Sequence, residues 1–135
     1  MSTPIEAATL RQIANEACAA SNDGARQVPP FSARYPALTL DNAYHVTALA
    51  NGLRVALGHK PVGRKIGFTN SRLWDEYGVH APIWGYVYDR TLHDFGAPFS
   101  LAPLAEPKIE PEIMLGLAKA PSAGMDDAAL LSCVA

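Results

Sequence analysis

Pro107-Lys108-Ile109-Glu110-Pro111-Glu112-Ile113-Met114-Leu115-Gly116-Leu117 is the stretch on which the reading of this chain turns. From Ile109 to Leu117 the odd positions are Ile, Pro, Ile, Leu and Leu; the even ones are Glu, Glu, Met and Gly. Strict alternation predicts a half-buried strand, with the odd side chains on a core and Glu110 and Glu112 together on the other face. Residues two apart along a strand sit roughly 6–7 Å from each other, so both carboxylates can converge on one cation. An isolated Glu-x-Glu on a strand is most often a solvated surface. Here Pro111 removes a ladder donor in mid-strand, which places the segment at an edge or a bulge, where sites often occur. Carboxylates are hard oxygen ligands and suit Mg²⁺, which takes one or two of them and keeps positions for water and substrate.

Val62-Gly63-Arg64-Lys65-Ile66-Gly67-Phe68-Thr69 alternates as well and predicts a strand. Lys65, Gly67 and Thr69 would share one face, with Ile66 and Phe68 on the other. Gly67 lets a ligand approach the backbone beside Lys65, and the ammonium suits a substrate carboxylate as a point charge. The plain alternative is a surface lysine beside a structural glycine. Ile83 to Tyr88 is rich in β-branched and aromatic residues and predicts a second strand. Asp89 ends it, either reaching a cleft or acting as an ordinary turn residue. His45, His59, His80 and His93 form no metal-binding spacing and read as surface or core residues.

The rest of the chain opens with Thr3-Pro4-Ile5-Glu6, a capping box with Pro at the first helical position. Leu10, Ile13, Ala14 and Ala17 form an apolar stripe at helical spacing, and Ser21-Asn22-Asp23-Gly24 stops it. Gln27 to Leu38 carries three prolines and reads as extended linker or loop. A second helix begins near Thr39 or Asp41, with Val46, Leu49, Ala50, Leu53 and Leu57 as its stripe and Gly58 as its stop. Asn70-Ser71 caps a short helix ending at Gly78. The run from Asp126 to Ala135 predicts a helix with an acidic start and no stop signal.

Helices first and strands later predict an α+β fold. The 135 residues fit one domain, mainly helical over 1–60 and strand-rich over 61–135. With 49% hydrophobic and 18% charged residues, a packed core is expected rather than a disordered tail. A net charge of -2 gives no footprint for nucleic acid or anionic membrane. No apolar run is long enough to span a bilayer, and Met1-Ser2-Thr3-Pro4 lacks the pattern of a secretory signal, so a cytoplasmic location is expected. Cys18 and Cys133, far apart and without metal-finger spacing, read as reduced thiols with no catalytic part. Neither a Gly-rich phosphate loop nor a Gly-x-Ser-x-Gly elbow is present.

Taken together, Gly63-Arg64-Lys65-Ile66-Gly67-Phe68-Thr69, Tyr77-Gly78-Val79 with Pro82 and Gly85, and Pro107-Lys108-Ile109-Glu110-Pro111-Glu112-Ile113 resemble the 2-keto-4-pentenoate hydratase and 4-oxalocrotonate decarboxylase family, within the fumarylacetoacetate hydrolase superfamily. Asp41-Asn42-Ala43-Tyr44 resembles that family's early helix. The resemblance implies N-terminal helices followed by part of a mixed β-roll of the fumarylacetoacetate hydrolase type. It implies a divalent metal, Mg²⁺ or Mn²⁺, on Glu110 and Glu112 with a third acid further on. That acid has no counterpart before Ala135, since the surroundings of Asp126 and Asp127 do not match. Family members are much longer, so the chain is expected to be the N-terminal half of such an enzyme.

Lys65 matches the family lysine at the substrate's carboxylate and oxo end, and Asp89 falls near a family acid. The implied activity is metal-dependent hydration of a 2-hydroxy-2,4-dienoate (2-keto-4-pentenoate), or decarboxylation of a related 2-oxo-dioate, in aromatic catabolism. An acylpyruvate C–C hydrolase of the same superfamily, or a non-catalytic fragment or partner subunit, are the alternatives. The implied partners are a small 2-oxo or 2-hydroxy-dienoate acid and further copies of the chain or a related subunit. Nucleic acid and membrane are not among them.

Overall fold

The computed structural model describes residues 5–22 and 26–135. The capping box at Thr3-Pro4 and the stop at Asp23-Gly24 therefore lie outside the described residues. The chain forms two compact units, one up to Ala105 and the other from Glu106 to Ala135. The boundary thus falls well after the helix-to-strand change near residue 60.

In the first unit, α1 spans Ala7–Asn22 and α3 spans Leu40–Ala56, and the two pack on each other. The buried side of α1 consists of Leu10, Ile13, Ala14, Cys18 and Ala20. The first three lie where the helical stripe predicts them. Ile13 is 1% exposed, and burying such a side chain contributes about 1.5–3 kcal/mol. The Cys18 thiol lies 3.5 Å from the Ala50 carbonyl oxygen, where the helices meet.

Thr39 fixes where α3 begins. Its Oγ1 accepts from the Asn42 amide at 3.2 Å, and Asn42 Oδ1 accepts from the Thr39 amide at 3.2 Å. This reciprocal cap satisfies two backbone donors that a helix start otherwise leaves bare. At the other end Gly58 has φ +83, a left-handed conformation that costs glycine little, and its amide donates to Val55.

The proline-rich stretch between the helices differs from its expected extended form. It contains one helical turn, α2, over Phe31–Arg34. Pro30 leads into that turn with extended backbone, and Arg34 forms a two-pronged ion pair with Glu16 at 3.0 and 2.9 Å. That tertiary contact, invisible to local sequence signals, holds the turn against α1.

β1 (Pro61–Gly67) and β2 (Ile83–Tyr88) form an antiparallel pair. The register places Arg64 opposite Tyr86, Lys65 opposite Gly85 and Ile66 opposite Trp84, with a bulge between Pro61 and Gly63. Residues directly opposite share a face, so Arg64, Ile66, Trp84, Tyr86 and Tyr88 lie on one side. That side meets α3. Tyr44 stacks on Trp84 at 5.4 Å, and the Tyr88 hydroxyl lies 3.1 Å from Asn51 Oδ1. Arg64 lies over the Tyr86 ring at 3.9 Å and Arg54 over the Tyr88 ring at 4.9 Å. Between the strands a turn of 3₁₀ helix (Ser71–Leu73) runs into α4 (Trp74–Tyr77). Asn70 caps it by accepting from the Arg72 amide, and Gly78 ends it with φ +63.

The second unit departs most from expectation. No strand forms over 107–116, and these residues have no regular secondary structure. Ile109, Ile113 and Met114 are 95%, 90% and 85% exposed, so the alternation covers no face. The physical reason is that alternation specifies which side a strand would bury, not what buries it. A strand also needs a neighbour for its backbone groups, and Pro111 has no amide to offer. Pairing starts only at Leu117, which bridges Val134, flanked by Ala118 to Cys133 and Ala135 to Gly116 hydrogen bonds of 2.9 Å.

The last helix, α5, runs over Asp127–Leu131 with Asp126 as its cap, Oδ1 accepting from Ala129 at 2.8 Å. It stops at Ser132 despite lacking a Gly, Asn or Pro, because Cys133 to Ala135 turn aside to pair with Gly116 to Ala118. Cys133 is fully buried at this closure.

Candidate active-site residues

Lys65 stands in the middle of β1, on the face turned away from the aromatic side chains. Arg64 on one side of the strand and Lys65 on the other follow from the two-residue alternation. The clustering of Arg64 with Tyr86 and Trp84 (3.9 and 5.2 Å to the ring centres) anchors the aromatic face and so directs its neighbour Lys65 to the opposite one. The lysine is exposed. Its cross-strand partner is Gly85, and its same-face neighbours on β1 are Gly63 and Gly67. Sequence reasoning set Gly67 beside Lys65 but named Gly85 only within the family resemblance and did not pair it with Lys65, since register is a tertiary property. The one available signal was a glycine interrupting the aromatic run Ile83-Trp84-Gly85-Tyr86-Val87-Tyr88.

Asp89 directly follows β2, and its Oδ1 accepts from the Lys60 and Arg90 amides, both at 2.9 Å. Its own amide donates to the Lys60 carbonyl at 2.9 Å. The hydrogen bond from the Lys60 amide, aided by the one from Arg90 and opposed by partial desolvation, holds this carboxyl below the ordinary value of 3.8. The arrangement clamps the end of the β1–β2 pair and is what a strand-ending turn residue does. Glu110 and Glu112 lie in the second unit, exposed, on the irregular segment. The described residues bring Lys65 and Asp89 into one sheet unit, and Glu110 and Glu112 into the other.

Two cavities among the described residues lie elsewhere. One of about 360 Å³ opens on the aromatic side of the sheet, lined in part by Thr47, Arg54, Tyr86 and Tyr88. Another of about 390 Å³ lies between α1 and α3. Neither is lined by Lys65. Tyr88 is pushed above its ordinary value of 10.0, mainly by burial, so its hydroxyl stays protonated and able to donate. Among the histidines, His80 Nδ1 lies 3.7 Å from the Asp75 carboxylate and His93 packs on Phe99 at 4.6 Å, surface roles in keeping with their spacing.

Among the described residues no group of three or more His, Cys, Asp or Glu side chains is placed to hold a metal ion. Glu110 and Glu112 alone still suit Mg²⁺ in donor type and number, because that ion keeps most of its positions for water and substrate. The two glutamates fit such an ion as part of a ligand set.

The chain is 36% identical over 97 residues to a 2-hydroxyhexa-2,4-dienoate hydratase from Comamonas testosteroni, covering 70% of the chain and 37% of that relative. A 2-keto-4-pentenoate hydratase from Burkholderia vietnamiensis is 35% identical over 68% of the chain and 35% of its own length. A 4-oxalocrotonate decarboxylase from Pseudomonas sp. strain CF600 is 34% identical over 72% of the chain and 36% of its own length. Over the matched stretch, the chain is similar to the 2-keto-4-pentenoate hydratase and 4-oxalocrotonate decarboxylase family.

The match spans little more than a third of the length of these curated relatives. No family model matches the chain. The fold is similar to a 4-oxalocrotonate decarboxylase from Pseudomonas putida G7, solved in complex with calcium and acetate. That similarity has a TM-score of 0.59 at 24% identity and covers 66% of this chain and 34% of the other.

Proposed function

We propose that this chain contributes to a cytoplasmic enzyme of aromatic catabolism that hydrates a 2-hydroxy-2,4-dienoate or decarboxylates a related 2-oxo-dioate. The observation that carries the reading is the set of relatives, hydratases and a decarboxylase at 34–36% identity over about 70% of the chain. In this reading the helices precede a mixed β-roll of the fumarylacetoacetate hydrolase type, of which β1–β2 form part. Glu110 and Glu112 hold a divalent cation, Mg²⁺ or Mn²⁺, and the calcium in the related decarboxylase supports a site for such an ion. When bound, the cation supplies positive charge where an oxygen of the substrate becomes more negative.

The remaining work falls to this chain's own side chains. Lys65 places its ammonium against the substrate carboxylate and holds the conjugated chain in one orientation. Asp89 acts by position: with its carboxylate accepting from Lys60 and Arg90, it keeps the strand pair that carries Lys65 closed. Both amides fall on Oδ1, and the catalytic part that the resemblance gives Asp89 would fall to the other oxygen of the same carboxylate.

Turnover of 2-hydroxypenta-2,4-dienoate with Mg²⁺ or Mn²⁺, followed by loss of its ultraviolet absorbance, tests the reading together with calorimetric titration of Mn²⁺. Glu110→Gln with Glu112→Gln is expected to abolish Mn²⁺ binding and metal-dependent turnover, and a chelator is expected to do the same to the unaltered protein. Binding and turnover that survive both substitutions would refute the ligand roles. Lys65→Met is expected to cost about tenfold to a hundredfold in kcat/KM, the loss of one charge-assisted contact of ~1.5–3 kcal/mol.

A second reading, in which the chain works only when a further copy or a related subunit covers it, is favoured by the bare Ile109, Ile113 and Met114 side chains. Size-exclusion chromatography separates the two readings: a folded, Mn²⁺-binding monomer rules out the second.

A further inference from the structure

Gly85 sits in the middle of β2, where strand rules favour a β-branched or aromatic residue and where glycine weakens the ladder. The fold gives no reason for it. Gly85 is not one of the glycines with positive φ, and a Cβ built on it would meet no atom of the described residues within 4 Å. The same open space surrounds Gly63 and Gly67. Gly63 borders the bulge and Gly67 ends the strand, so each has a local role; Gly85 has none.

The register turns these three positions into a pattern. Gly63 and Gly67 flank Lys65 along β1, Gly85 faces it across the ladder, and Ile83 and Val87 take the corners of the same face. A long cationic side chain thus rises from a clearing of bare backbone with apolar groups at its margin. Interior strand glycines of this kind occur where a ligand or another backbone comes close.

We infer that this clearing is the seat of a flat, short-chain carboxylic acid, and that Gly85 is a specificity-determining residue that lets the acid lie against the sheet. The carboxylate meets the Lys65 ammonium, and the planar chain lies over Gly85 towards Ile83 and Val87. The inference rests on the substrate class proposed above and adds where on the sheet the acid lies. It predicts that bulk at position 85 excludes the ligand without harming the fold, because the added atoms enter empty space and raise strand propensity.

The test titrates 2-oxopentanoate, a stable short-chain 2-oxo acid, into the whole chain with Mg²⁺ present, and follows binding by calorimetry and folding by thermal melting. Gly85→Val is expected to weaken binding at least tenfold while the melting temperature stays level or rises. Gly85→Ala is expected to do so to a smaller degree, and Lys65→Met to weaken binding at least tenfold. Unchanged affinity in Gly85→Val overturns the inference, and so does a clear fall in melting temperature in Gly85→Ala, which would make the glycine a packing requirement. If Gly85→Val does not fold, Gly85→Ala decides on the same two readouts. Weakened binding in Lys65→Met with retention in Gly85→Val sinks the seat alone. Full binding in Lys65→Met, or none by the unaltered chain, sinks the underlying substrate reading and the seat with it.

Discussion

Tyr88 joins three parts of the first unit through one side chain. Its ring is buried, lies under Arg54 and meets the edge of His59 at 5.8 Å, while its hydroxyl reaches Asn51 of α3. Tyr88→Phe keeps the ring and removes the hydroxyl, leaving Asn51 without that donor. The expected cost is about 1 kcal/mol in urea unfolding, the usual net worth of one hydrogen bond. Burial raises the folded hydroxyl above its ordinary 10.0, so its contribution is complete below pH 10 and declines as pH climbs through the higher folded value. Asp89 runs the other way. Its carboxyl is lowered from 3.8, so its stabilising effect is present above that value and disappears as pH falls through the lower folded one. Asp89→Ala is therefore expected to flatten the acid limb of a stability-versus-pH curve. An acid limb unchanged from the parent protein would show that the clamp on Lys60 contributes nothing.

At the level of elements, α3 and α1 are the parts most open to a quantitative check. Thr39→Ala removes the cap at the start of α3 and is expected to cost about 1 kcal/mol. Ile13→Ala opens a cavity in the α1–α3 seam at about 2–5 kcal/mol. Both are readable by denaturant unfolding, and an Ile13→Ala loss below that of Thr39→Ala would contradict the packing described. These elements were also the most legible in the sequence. The Thr39 cap, the Gly58 stop, the Asn70-to-Gly78 turn and the limits of β2 are local signals, written within a few residues of where they act. The α2 turn was not legible because it leans on Glu16, eighteen residues away in the chain. The end of α5 was hidden for a similar reason, since its stop is a pairing with Gly116 to Ala118 rather than a residue type. For the site, alternation placed Lys65 on its strand and face, whereas its glycine partner needed the register. The glutamate segment shows the limit of periodicity, which reports a preference that only a neighbouring strand can fulfil.

Across the whole molecule, order is uneven. The first unit holds a helix pair and a sheet joined by an aromatic seam, whereas the second closes only at Leu117–Val134 around α5. Among the described residues no helix is long and apolar enough to cross a membrane. The irregular, exposed run over 107–116 is expected to be an early point of tryptic attack, at Lys108, while Lys65 within its strand is cut later. Mass spectrometry of a timed digest checks the order; early protection of Lys108 would mean that another polypeptide covers the segment.

The two cysteines are apportioned one to each unit, Cys18 in the helix seam and Cys133 at the closure of α5, and both are shielded. An alkylating reagent can reach either sulfur only when its surroundings breathe open. The labelling rate at each therefore serves as a natural stopwatch for its own unit, with no probe to be introduced.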